Sequence, residues 1–124
     1  MTLSARVVLL TFVGGALGTV LRWSLSFAID SSFWAIALVN LLGAFAIGFF
    51  NGHRYFHTDA RRALYSIGFC GGFTTLSGLM AVAVSPASGL MVGLEFVLGI
   101  GVYLLGLRTG DSTSAETASE ADLV

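Results

Sequence analysis

Thr74, Thr75 and Ser77 place three hydroxyls within four residues, and Gly68, Gly71 and Gly72 lie just ahead of them. The stretch Gly68-Phe69-Cys70-Gly71-Gly72-Phe73-Thr74-Thr75-Leu76-Ser77 sits inside an apolar run, Ala63 to Val84, that holds no charged residue. Such a run is long enough to cross a bilayer, yet glycine weakens a helix and lets other backbone come close. Lipid cannot satisfy free N–H and C=O groups, so irregular backbone at that depth must face protein or a wet cavity. One reading is a spanning helix broken at an ion site, where hydroxyls and freed carbonyls hold a cation. The other is a glycine-rich packing face whose hydroxyls bond back to their own helix.

A second polar group falls at matching depth. Asn40 lies seven residues past Phe33, about 10 Å from one membrane edge, and Thr74 lies about 20 Å from the other. Both estimates land near the middle of a core about 30 Å thick. The Asn40 amide has two N–H donors, which suits an anion, although a bond that only joins helices fits as well. Arg22 and Glu95 are the remaining charged groups in apolar segments. Each should face a vestibule or a partner, because an ionised side chain in hydrocarbon is costly; Glu95 could pair with Arg22. A buried acid also suits a proton-coupled transporter.

The elements that position these groups follow from composition. The 124 residues are 56% hydrophobic and 10% charged, with a mean hydropathy of +0.88, too apolar for a soluble domain of this size. Four segments meet the roughly 20 residues that a spanning helix needs: Ala5 to Ile29, Phe33 to Gly52, Arg61 to Val84 and Gly89 to Leu107. The first is too long for a cleaved signal peptide and no polar domain follows it. Asp30-Ser31-Ser32 and Ser85-Pro86-Ala87-Ser88 read as tight turns. Residues 1–108 form the transmembrane domain. Residues 109–124 are acidic and without periodicity, and predict a disordered tail.

Arg6, Arg54, Arg61, Arg62 and Arg108 fall on one side of a four-span topology, and there is no Lys. The positive-inside rule puts both termini in the cytoplasm. Glycines four apart (Gly14 with Gly18, Gly48 with Gly52, Gly68 with Gly72, Gly89 with Gly93) predict close helix contacts. Four helices make a thin bundle, which predicts a partner subunit. Of the ten Phe, Phe12, Phe27, Phe33, Phe49 and Phe50 read as lipid-facing or packing residues. His53 and His57 lack a third ligand and read as solvated loop residues. The chain has no nucleophile–base pair, phosphate loop or metal constellation, which argues against an enzyme, and its net charge of −1 gives no reason to expect nucleic acid.

Taken together, Gly14-Gly15-Ala16-Leu17-Gly18 with Arg22, Val39-Asn40-Leu41-Leu42-Gly43 with Gly48, and Gly68 through Ser77 resemble the CrcB/Fluc family of fluoride channels, over about Val7 to Gly106. The resemblance implies an all-α membrane protein whose four-helix subunits form an antiparallel dimer with two fluoride pores. It implies a structural sodium ion (Na+) at the dimer centre, held by backbone carbonyls, here those of Gly71 and Thr74. Asn40 matches the pore asparagine, and Thr75 and Ser77 match polar positions beyond the break. Where the family reads Thr-Thr-Phe-Ser-Thr-Phe, this chain has Leu76, Gly78 and Leu79, so two pore phenylalanines are missing. Gly99 and Gly101 stand where a pore-facing polar residue is usual, and Glu95 stands about where Asn is frequent.

A dual-topology homodimer needs a balanced arginine distribution, and five against zero is not balanced. Together with the missing phenylalanines, this predicts half of a heterodimer paired with an oppositely oriented homologue. The function expected is a passive fluoride channel of the cell membrane that lowers cytoplasmic fluoride. The alternatives are a small multidrug-type proton-coupled exporter and a non-conducting partner subunit.

Overall fold

The computed structural model describes residues 4–29 and 32–123. Four helices are long and apolar enough to cross a membrane, and no strand occurs among the described residues. Helix α1 spans Ala5–Ser26 and α2 spans Ser32–Gly52. A 3-10 turn, Arg54–His57, leads into α3, residues 59–73. The short helix α4 spans Leu76–Val82, and α5 spans Pro86–Asp122. Asp30 and Ser31 of the expected first turn lie outside the described residues.

Side-chain oxygens start the helices. Ser4 Oγ accepts from Val7 N at 3.3 Å and Ser85 Oγ accepts from Ser88 N at 3.2 Å. Pro86 follows Ser85 inside the first turn of α5, where its missing N–H costs nothing.

Two close pairs make the bundle. Helix α1 packs on α3, and α2 packs on α5. Small residues set both spacings. A Cβ on Gly14 or Gly18 would strike the backbone of Leu64 or Phe69, and one on Gly72 would strike the carbonyl of Gly15. Gly48 and Gly52 press in the same way on the carbonyls of Tyr103 and Leu107, while Gly106 and Gly110 press back on Phe45 and Phe49. The expectation of close contact differs at Gly89 and Gly93, where nothing lies within 4 Å of an added Cβ. The core is correspondingly small-grained, with Ala35, Ala37, Ala63 and Cys70 buried. Large apolar side chains point outward, as in Phe12 at 74% exposure, because lipid rather than a core receives them.

Residues 109–122 depart from the expected disordered tail. They continue α5 as one helix to Asp122. The reason is packing: Gly110 and Ser114 are buried, Gly110 lies on the carbonyl of Phe49, and Ser114 Oγ accepts from Arg54 N at 3.3 Å. Thr109, Thr113 and Thr117 bond back to carbonyls four residues earlier at 2.8–2.9 Å, so their hydroxyls stay within the helix.

Candidate functional site

The third span is not a simple helix. Arg62–Phe69 is π-helical and Cys70–Phe73 returns to α. Then the chain straightens: Thr74 has φ −82° and ψ 154°, Thr75 has φ −151° and ψ 112°. The glycines permit the close approach to α1 and the two threonines carry the extended backbone, with β-branched side chains that tolerate it.

Asn40 of α2 holds this extended link. Its Oδ1 accepts from Thr75 N at 2.8 Å, and its Nδ2 donates to Thr75 O at 3.1 Å. The backbone N–H only donates and the carbonyl only accepts, so the amide orientation is fixed by its partners. Because the Thr75 N–H is taken by Asn40, it does not close a helical bond onto Gly71. Among the described residues no backbone N–H is bonded to the carbonyl of Thr74, which stands outside both helices. The Gly72 carbonyl is satisfied from outside, by Thr19 Oγ1 at 3.3 Å.

The hydroxyls divide. Thr74 Oγ1 donates to Cys70 O at 3.0 Å, back along its own helix, and its methyl lies on Gly43. Thr75 Oγ1 caps α4 by accepting from Gly78 N at 3.1 Å and lies 3.3 Å from Ser77 Oγ. Ser77 itself is exposed.

Beside the break lies a cavity of about 360 Å³ between α2, α4 and α5. Asn40, Thr74, Thr75, Leu76, Leu79 and Glu95 all line it, with Phe96, Gly99 and Tyr103. Leu76 is half exposed, whereas Leu79 is buried. Glu95 is buried at 8% exposure, and neither of its carboxylate oxygens accepts a hydrogen bond among the described residues. The Asn40 amide has one N–H beyond the one spent on Thr75. Apart from the hydroxyls of Thr74, Thr75 and Tyr103 the rest of the wall is apolar, and it carries no basic group.

Three sequence-derived candidates stand off this wall. Gly71 is exposed with nothing near an added Cβ, Ser77 lies outside the cavity, and Arg22 is half-buried on α1. Helices α1 and α5 share no contact, so Arg22 and Glu95 do not pair within the chain. Tyr103, which the sequence did not single out, reaches the cavity from α5, and Asn51 Nδ2 donates to its hydroxyl at 3.5 Å. His53 Nδ1 caps the turn by accepting from Tyr55 N at 3.2 Å, and His57 Nε2 lies 2.9 Å from Asn51 O.

A family model described as CrcB-like protein, Camphor Resistance (CrcB), matches residues 9–107. The fluoride-specific ion channel FluC 2 of Parasynechococcus marenigrum is 36% identical over 109 residues, covering 82% of this chain and 79% of the relative. The fluoride-specific ion channel FluC of Gluconobacter oxydans is 34% identical over 143 aligned positions, covering 97% and 99%. That of Bacteroides fragilis is 32% identical over 113 residues, covering 82% and 88%. These relatives are named as channels and not as enzymes. No solved structure matches the chain.

Proposed function

The chain belongs to the CrcB-like family, and we propose that it is a subunit of a passive fluoride channel of the cell membrane that lets fluoride leave the cytoplasm. The observation that carries the reading is the Asn40–Thr75 clamp beside the cavity. Fluoride is small and strongly hydrated, so a path for it must offer N–H and O–H donors in place of water. The second N–H of Asn40 and the hydroxyl of Thr75 supply donors there, and the apolar wall excludes competing water.

The carbonyls of Gly71 and Thr74 have the chemistry for a monovalent hard cation, and sodium is the ion proposed. The lack of a backbone donor at the Thr74 carbonyl supports this, because an unpaired carbonyl at membrane depth is costly. A cation there would offset the carbonyl dipoles and tie the two halves of the third span together.

The working unit is a dimer, with a second copy or, favoured by the arginine bias, an oppositely oriented homologue. Gly89, Gly93 and Gly101 support a partner, since small residues at regular spacing on α5 meet nothing within the chain. Both termini are placed in the cytoplasm on the same arginine count.

The test is efflux from liposomes holding the purified chain, read with a fluoride electrode and with chloride as control, alone and together with an oppositely biased homologue. Fluoride-selective efflux in either preparation supports the channel; none in both removes it. Efflux only from the pair identifies a heterodimer, and pair efflux unchanged by substitutions at Asn40 of this chain identifies a non-conducting partner. Glu95 favours a second reading, the proton-coupled exporter, which requires transport of an organic cation that follows a proton gradient and is lost in Glu95→Gln.

A further inference from the structure

Glu95 is the one charged side chain on the cavity wall, and the fluoride reading leaves it unexplained. Its side chain is more than nine-tenths buried, its oxygens complete no hydrogen bond among the described residues although the Asn40 amide is their neighbour, and it shares the cavity with Asn40 and Thr75. An anion path with an ionised carboxylate in its wall sets two negative charges against each other where little water screens them. An ionised Glu95 also competes with any anion for the free N–H of Asn40. A protonated carboxyl reverses both effects. It carries no charge, and its O–H becomes a further donor aimed into the cavity.

Resting on the fluoride reading, we propose that Glu95 is a specificity-determining donor: fluoride occupies this cavity together with a proton carried on the Glu95 carboxyl. Fluoride accepts the O–H hydrogen bond, no covalent bond breaks, and the proton is held by the carboxyl and not handed to fluoride. Larger, softer anions accept O–H bonds more weakly, so the same group discriminates in favour of fluoride. The surroundings leave the proton to Glu95. Asn40, Leu41, Ala44 and Ile47 face it from α2, and Thr74, Thr75, Leu76 and Leu79 from the break and α4; none of these titrates. From α5 the other titratable group lining the cavity is Tyr103, whose hydroxyl accepts from Asn51.

Linkage gives a test that does not depend on flux. The purified full chain is titrated with sodium fluoride in weak buffer, with sodium chloride as control. Bound fluoride is followed by its nuclear magnetic resonance signal and proton uptake by an indicator dye. At a pH where the free carboxyl is ionised, wild type is expected to take up close to one proton for each fluoride bound. Its fluoride affinity falls by about tenfold per pH unit once the carboxyl is ionised. Glu95→Gln, which keeps an N–H donor without a titrating group, binds fluoride with no proton uptake and no pH dependence; Glu95→Asp keeps the uptake. Fluoride binding by wild type with no proton uptake and no pH dependence across the titrated range overturns this inference and leaves the channel reading standing. No fluoride binding by wild type or variants at any pH, alone or together with the oppositely biased homologue, overturns both.

Discussion

Asn40 pairs with Thr75 as one β-strand residue pairs with another. Its amide engages both the N–H and the C=O of the same residue, at 2.8 and 3.1 Å, 35 positions away in the chain. One side chain thus does at mid-membrane what a neighbouring strand does in a sheet, and α3 can end without leaving both groups of Thr75 orphaned.

Removing that amide exposes both groups. Asn40→Ala leaves a buried donor and acceptor unpaired, a cost of about 1–3 kcal/mol for each group. Thermal unfolding in detergent should show a lower midpoint, and fluoride efflux should fall at least to the background of empty liposomes. Full efflux from Asn40→Ala would remove the clamp from the mechanism.

The two cavity leucines should respond differently to an aromatic ring. Leu76 is half exposed, so Leu76→Phe fits without repacking and adds a positive ring edge to the anion path. A several-fold gain in fluoride efflux is expected. Leu79 is 2% exposed, and Leu79→Phe overpacks it at about 1–3 kcal/mol. Loss of monodisperse protein on gel filtration is the readout there.

Glycines on α5 separate into two kinds. Gly106→Leu drives a side chain into the backbone of Phe45 and Phe49 and should prevent α2 and α5 from closing. Gly101→Ala meets nothing within the chain. If Gly101→Ala lowers the yield of dimer by cross-linking while leaving helicity unchanged, the open glycines face a partner.

Sodium should stabilise the protein if the Gly71 and Thr74 carbonyls hold it. Replacing sodium by a bulky organic cation is expected to lower the unfolding midpoint. Adding it back at about 100 times its dissociation constant restores about 2.7 kcal/mol. A midpoint indifferent to sodium would place no cation there.

Truncation after Arg108 tests the extension of α5. It removes Ser114 from Arg54 N and uncovers Phe49, so backbone amides of residues 53–58 should exchange faster, with a stability loss of about 1 kcal/mol. Unchanged exchange would mean that the loop holds itself.

Much of this was legible in the residues. The four spans came from hydropathy, and the position of the break from glycines followed by hydroxyls. The matching depths of Asn40 and Thr74 pointed to one level of the bundle, though depth alone does not say which residue Asn40 bonds. The π-helical turns of Arg62–Phe69 leave no trace in a pattern of apolar residues. Residues 109–122 misled because Ser, Thr and Glu read as a solvated tail. The signal against that reading was Gly106, Gly110 and Ser114, a small residue every fourth position carrying the packing of α2 and α5 past the apolar stretch. Arg22 and Glu95 looked like partners only because both are charged; helices that never touch keep them apart.

At 1.5 Å per residue, the 37 residues of α5 extend about 55 Å, against a hydrocarbon core of about 30 Å. The chain therefore carries its own rigid mast above the membrane. A protein domain joined in helical phase after Asp122 would be held at a fixed angle and distance, giving a 13.0 kDa subunit the asymmetric landmark that particle alignment in electron microscopy requires. In a dimer whose subunits oppose one another, two such landmarks would stand on opposite faces of the bilayer, and a single image class would report the topology.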